Sequence, residues 1–120
     1  MSDPKTYIDE MLQIPGAGAA LIIDANSGMA LATGGDAPFD LEIGAPAAIN
    51  IVRAAARTAS ESHLTARLEQ MVGVHDTFTV IIHLLHEANE GIAAMVVLDS
   101  NANMAMANHK LKQVEKHLVI

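Results

Sequence analysis

The residues of this chain that could bind a metal ion are chiefly its six histidines, because the sequence contains no cysteine. His83 and His86 lie three positions apart at the end of an apolar run, and three steps along a strand reverse the side-chain direction. His109 and His117 belong to one predicted helix, but they are too far apart to share an ion. Because metal ligands must converge, we predict hydrogen-bonded or solvated histidines and no metal site.

Nucleophilic catalysis is the second chemistry that the residue types suggest. Ser60, Glu61, Ser62 and His63 supply a hydroxyl, a carboxylate and an imidazole in immediate succession. Residues this close at the end of a helix cannot adopt the geometry of a catalytic triad, in which a nucleophile, a base and an orienting group are hydrogen-bonded in sequence. We interpret the segment as a helix terminus and predict that the chain has no catalytic residue and is not an enzyme.

Glycine-rich segments and aspartates give no cofactor signature either. The sequence Gly16-Ala17-Gly18 precedes a predicted strand, whereas a dinucleotide fingerprint follows a strand and opens a helix. The GxxxxGK[ST] pattern of a phosphate-binding loop is absent from the sequence. Asp24 and Asp99 end predicted strands beside turns, where aspartate is a common turn former. We therefore predict no bound cofactor.

Arg53 and Arg57 lie one helical turn apart on a long predicted helix. They could contact an anionic partner or supply an arginine finger to a nucleotidase. A solvated helix face is the alternative. Both interpretations stay open at this stage.

Composition limits the classes of partner. The formal net charge is −7, with only seven lysines and arginines in 120 residues. This balance argues against nucleic acid and anionic membranes as partners. The N-terminus is polar, unlike a secretory signal, and no apolar run has the length to cross a membrane. We predict one cytoplasmic domain over residues 1–120.

Periodicity and turn residues predict an α/β (α+β) fold with the order α-β-β-α-β-β-β-α. The strands at 78–85 and 92–98 are apolar on both faces, so we place them together at the centre of an antiparallel sheet. Residues 34–38 are predicted as a flexible loop, and 68–74 as an edge strand. The remaining predicted elements are helices at 4–13, from 44–46 to about 63 and from about 104, and strands at 17–24 and 29–33.

The long predicted helix carries more apolar surface than one sheet can cover. A helix that buries a single face needs an apolar arc of about 100°, and this arc is about twice as wide. An uncovered remainder favours self-association, with the same helix of a second copy as the simplest cover. The predicted homodimer interface combines this helix with the neighbouring edge strand, and its residues are Ala48, Ile51, Val52, Ala55, Ala59, Met71 and Val72.

Three segments together resemble the Roadblock family of dynein-associated light chains and their prokaryotic relatives. The first is the proline-glycine step at Pro15-Gly16 that leads into AGAALIIDANSGMALA with its Asp-x-x-Gly type turn. The second is the long alanine-rich helix, and the third is GIAAMVVLDSNANMAMANHKL, a strand that leads through an asparagine into the final helix. The resemblance covers nearly the whole chain.

This resemblance implies a five-stranded antiparallel sheet in the order 2-1-5-4-3, with the long helix on one face and the terminal helices on the other. It further implies a homodimer that binds a small Ras-like GTPase and modulates its nucleotide cycle or localisation, in prokaryotes including as a GTPase-activating partner. It transfers no catalytic residue. The alternative is a profilin-like or PAS-like small-molecule sensor, which needs an internal pocket with converging polar groups. A hydrolytic enzyme ranks third.

Overall fold

The computed structural model describes residues 3–86 and 91–118. It contains three helices and five strands in the predicted order. The bounds are α1 Pro4–Leu12, β1 Ala17–Asp24, β2 Ala30–Gly35, α2 Leu41–Glu61, β3 Gln70–Val74, β4 Phe78–Leu85, β5 Ile92–Asp99 and α3 Met104–Glu115. The predicted β4–β5 turn lies largely outside the described residues.

The five strands form one antiparallel sheet in the order β2-β1-β5-β4-β3. The neighbouring strands β4 and β5 pair along their whole length, from Phe78 opposite Asp99 to Leu85 opposite Ile92. Their side chains are covered on both faces over most of this length, because helices lie on either side. The predicted central pair and the strand order are confirmed.

Each face of the sheet carries its own apolar core. One core joins α1 and α3 to the sheet, and its fully buried members include Ile8, Met11, Ile22 and Leu111. The other lies under α2 and includes Leu21, Ile49 and Met95. The predicted helix layers, one long helix opposite two terminal helices, are therefore confirmed.

Helix α2 begins earlier than its proline suggested. We predicted a start at 44–46, because proline is tolerated only in the first turn. The helix in fact begins at Leu41, with Pro46 inside it. The Asp40 side chain caps it by accepting a hydrogen bond from the Glu42 amide at 2.9 Å. An effective cap further upstream therefore decides where the helix starts.

Strand β2 also differs from the prediction, because Gly34 and Gly35 belong to the strand and not to a loop. Gly35 has φ +81°, and an added Cβ would fall on the backbone of β1. A bulge interrupts the pairing with β1. Ile22 faces Ala32 and Ile23 faces Ala30, so Leu31 has no partner on β1.

Helix α3 is capped by Asn103, whose side chain accepts from the Met106 amide at 3.0 Å. The helical spacing of Met104, Leu111, Val114 and Leu118 predicts that these four side chains face the core. The structure buries Leu111, Val114 and Leu118, but it exposes Met104 and buries Ala107 instead. The helix therefore packs through small side chains at its N-terminal half.

Among the described residues, no helix combines the length and the apolar character that a membrane crossing needs.

Candidate interaction site

An apolar groove opens between α2 and the β3 side of the sheet. Helix α2 packs mainly over β1 and β2, which lie toward the other edge of the five-stranded sheet from β3. Among the described residues, the sheet beside β3 is therefore left without a helix above it on this face, and the groove forms there. Its volume is about 370 Å³. The wall consists of side chains from α2, β3 and β4, and the floor includes Val80, Ile82 and Met95.

One flank of α2 faces this groove with large apolar side chains. Ile43, Ala47 and Ile51 recur every fourth residue and form a single row along the helix. Ile43 is 67% exposed and Ile51 is 57% exposed, although both sit on a helix that packs against the core. Two isoleucines this exposed on one row form an exposed apolar strip beside the groove.

Both phenylalanines of the chain lie at one end of the groove. The rings of Phe39 and Phe78 are 5.8 Å apart, and the His75 ring stacks on Phe78 at 4.3 Å. Aromatic rings supply large, stiff contact area at interfaces. Sequence reasoning did not place these three residues or Ile43 in the site, since they come from separate segments. Their rarity in an aromatic-poor chain was the available signal.

The structure separates the predicted interface residues into two sets. Ala48 and Val52 are only 6% exposed, because they point from α2 into the core of their own chain. Ile51 lines the groove and is exposed, and Ala55 and Ala59 are half-buried along α2. The strand residues Met71 and Val72 also line the groove. The groove lining thus includes Ala48, Ile51, Met71 and Val72, although Ala48, like Val52, offers little free surface.

Strand β3 forms the rim of the groove and one edge of the sheet. It pairs only with β4, from Gln70 opposite His83 to Val74 opposite Thr79. Its other backbone edge has no strand beside it within the described residues. An open edge next to an apolar groove favours pairing with another chain.

The two arginines of α2 lie away from the groove. The Arg53 guanidinium donates hydrogen bonds to the carbonyl oxygens of Ala25 and Asn26, in the turn that joins β1 to β2. Arg57 lies one turn further along the helix and is exposed. Arg53 therefore braces its own chain, and Arg57 is the more accessible cation for a partner.

The histidines occupy separate positions. His83 is buried between α3 side chains, with ring nitrogens 2.5 Å from a Glu115 carboxylate oxygen and 2.5 Å from the Asn108 side-chain oxygen. His86 lies 2.9 Å from the Leu68 carbonyl oxygen. Within the described ranges, no three potential metal ligands come together.

The segment from Ser60 to His63 forms the end of α2, as predicted. Ser62 is the C-cap residue, and its amide donates to the backbone carbonyls of Ser60 and Thr58. His63 follows with φ 60° and is exposed. The segment therefore terminates a helix.

Sheet order, helix layers and the groove beside α2 define an α+β domain with a Roadblock-type fold. Neither a family model nor a curated protein matches the sequence. The solved structures provide the comparison at the level of fold.

The chain is similar to the gliding protein MglB from Thermus thermophilus, with a TM-score of 0.78, 22% identity, and coverage of 93% of this chain and 82% of that chain. A second MglB structure, described with a tetrameric arrangement, gives 0.77 at 23% identity over 92% of this chain and 80% of that chain. The Roadblock/LC7 domain from Streptomyces avermitilis gives 0.79 at 18% identity, covering 96% of this chain and 93% of that chain.

Profilin II from Acanthamoeba castellanii gives a TM-score of 0.64 at 18% identity, over 95% of this chain and 94% of that chain. The predicted profilin-like architecture is therefore confirmed. At these identities the likeness concerns the fold alone.

Proposed function

We propose that this protein is a cytoplasmic, non-catalytic homodimer that binds a small Ras-like GTPase and modulates its nucleotide cycle or localisation. The observation that carries the proposal is the apolar groove between α2 and β3 on a Roadblock-type fold. The resemblance to the Roadblock family is the reason for proposing a small GTPase as the partner. The groove supplies the reason for a second copy of the chain.

The geometry of the groove supports the proposed self-association. The row formed by Ile43, Ala47 and Ile51 stands at its edge, and a two-fold partner would offer the same row in return. Each row then enters the other copy's groove, where the Phe39 and Phe78 rings lie at one end. Burying these side chains removes exposed apolar surface from water, which stabilises the pair.

Pairing of the two β3 edges would complete the same interface. Strand β3 carries no charged side chain, since its sequence is QMVGV. Charges are the usual protection of a sheet edge, so their absence favours strand pairing. The proposed interface residues are Ile43, Ala47, Ile51, Ala55, Ala59, Met71 and Val72, together with Phe39, Phe78 and the small exposed parts of Ala48 and Val52.

The proposed GTPase contact includes Arg57, with Arg53 behind it as a brace for the β1–β2 turn. Both are exposed and neither lines the groove, so a dimer formed through the groove would leave them accessible. An exposed guanidinium suits an acidic or phosphate-bearing partner surface. The chain itself contributes no nucleophile or base to hydrolysis in this proposal.

The test is binding to small Ras-like GTPases encoded near this gene, each loaded with GDP or a non-hydrolysable GTP analogue. We expect capture that depends on the bound nucleotide, and a GTP hydrolysis rate that changes only when both proteins are present. Arg57→Glu should weaken capture. Arg67→Glu is the matched control, since Arg67 is also exposed but pairs with Glu69 at 3.2 Å.

Two results would contradict the proposal. Equal capture of both nucleotide states with an unchanged hydrolysis rate would remove the regulatory role. GTP turnover by the purified chain alone would show a catalytic site of its own. Saturable binding of a small molecule in the groove, with a monomeric chain, would instead support the sensor alternative.

A further inference from the structure

We propose that the outer side of α3, with the cleft beside it, binds an extended acidic protein segment that carries one apolar anchor residue. Helix α3 lies on the opposite face of the sheet from α2, and its cleft meets the proposed dimer interface only along β3, where Val72 lines both the groove and the cleft. The inference therefore goes beyond the proposed function and does not rest on it.

The charge on α3 is the first observation. Three of the chain's four lysines, Lys110, Lys112 and Lys116, lie on α3 or at its C-cap, in a chain whose net charge is −7. All three are exposed. None forms an ion pair with any residue that the structure describes.

The only carboxylate of α3 does not neutralise them. From the sequence, Glu115 would pair with Lys112 at the i, i+3 spacing of a solvated helix. The structure turns it inward instead, where its carboxylate lies 2.5 Å from His83 Nδ1 and its side chain is only 16% exposed. The exposed charges that α3 itself carries, from Lys110 to Lys116, are therefore all cationic; a carboxylate from another element, that of Glu10 on α1, lies 2.7 Å from His117.

A cleft beside the helix supplies an apolar subsite. Its volume is about 350 Å³, and it lies between the N-terminal half of α3 and strands β3 and β4. The lining residues are Gln70, Val72, Ile81, Met104, Ala105 and Asn108. Met104 is exposed here, and methionine adapts its shape to different apolar partners.

The cleft and two of the lysines share one row of the helix. Met104, Asn108, Lys112 and Lys116 recur every four residues, so their side chains form one row that winds by about 40° per step from the cleft toward the outer face of the helix. Met106 and Lys110 lie on the other flank. With a rise of about 1.5 Å per residue, Lys112 lies about 12 Å and Lys116 about 18 Å along the helix from Met104.

These separations specify the partner. An extended chain advances about 3.3 Å per residue, so an apolar residue in the cleft places carboxylates near the lysines about four and about six residues further on. Positions separated by even numbers point to the same side of an extended strand. The expected ligand is a segment with an aliphatic residue followed at these spacings by aspartate or glutamate.

The test uses the full chain and a fluorescein-labelled Gly/Ser/Thr peptide with one leucine and two glutamates at that spacing, measured by fluorescence anisotropy. We expect saturable binding that weakens as salt rises. Lys112→Glu should weaken it by about fivefold or more, and Met104→Ser by about fivefold. Lys116→Glu is a second, independent variant of the row.

Matched controls come from the other flank of the same helix. Lys110→Glu makes the same charge change, and Met106→Ser makes the same apolar-to-polar change at an exposed methionine. Both should bind within about twofold of the unmodified chain. Circular dichroism confirms that each variant is folded before binding is compared.

The proposal is overturned if Lys110→Glu weakens binding as much as Lys112→Glu, because the attraction is then only net charge. It is equally overturned if peptides with the leucine replaced by serine or the glutamates by glutamine bind as well. Absence of saturable peptide binding, or Lys112-dependent binding seen only with phosphatidylserine vesicles, would also contradict it.

Discussion

Replacing Ile51 with arginine is the most direct test of the groove as a dimer interface. Ile51 projects from α2 into the groove and is 57% exposed in the single chain. Arginine is a good helix former, so the substitution should leave the folded monomer intact. In the dimer, the same side chain would place a charge among mainly apolar residues, and the one carboxylate of the groove lining, Asp40, already accepts a hydrogen bond from the Glu42 amide.

The size of the effect follows from the exposed fraction. Fully burying an isoleucine side chain contributes about 1.5–3 kcal/mol, so covering the 57% that is exposed contributes about 0.9–1.7 kcal/mol. A two-fold interface contains the residue twice, which gives about 2–3 kcal/mol for the pair. This corresponds to a dissociation constant weakened by about 30- to 150-fold, before the cost of desolvating the new charge is added.

Size exclusion with light scattering, over a dilution series, measures the change. The unmodified chain should elute as a dimer at micromolar concentration and Ile51→Arg as a folded monomer. Met29→Arg is the matched control, because Met29 is also a large exposed apolar residue but lies at the start of β2, away from the groove. A monomeric unmodified chain, or an Ile51→Arg variant that stays fully dimeric, would refute the reasoning.

Three further predictions concern stability and are measured by urea unfolding. Asp40→Ala removes the α2 cap and should cost about 1 kcal/mol. Gly35→Ala should lower the free energy of unfolding by about 3 kcal/mol, because the φ of Gly35 is +81° and the new methyl group meets the β1 backbone. Gly73→Ala is the control: its methyl group makes only an ordinary contact, so the free energy of unfolding should be nearly unchanged. His83→Leu should cost about 3 kcal/mol by leaving the Glu115 carboxylate without its partner, and adding Glu115→Leu should recover most of that loss.

The element order was readable from the sequence because local signals agreed with the fold. Asp3 and Pro4 begin α1 as predicted, and the apolar runs of β4 and β5 are central and covered on both faces. The predicted start of α2 was wrong because two local rules competed there. The position of Pro46 favoured a later start, whereas the Asp40 side chain caps an earlier one.

The candidate site was only partly readable, because it depends on where α2 lies on the sheet. The excess apolar surface of the helix was recognised, but its division into core and groove sides was not. Ala48 and Val52 turned out to pack inside, whereas Ile43 stands outside. Likewise, nothing in the spacing of Glu115 indicated that it leaves the helix surface for a buried histidine, since that contact joins distant segments.

The bulge at Leu31 has a consequence for the size of the assembly. If two copies pair through β3, their sheets join into one continuous sheet, and each of its two outer edges is a β2 strand. At that strand the unpaired Leu31 breaks the regular spacing of backbone donors and acceptors, and Gly35 at its end has a positive φ and lies close to the β1 backbone. A further strand would find no continuous ladder there. We therefore expect growth by strand addition to stop at two copies, which gives a closed particle and protects the protein from open-ended fibre formation.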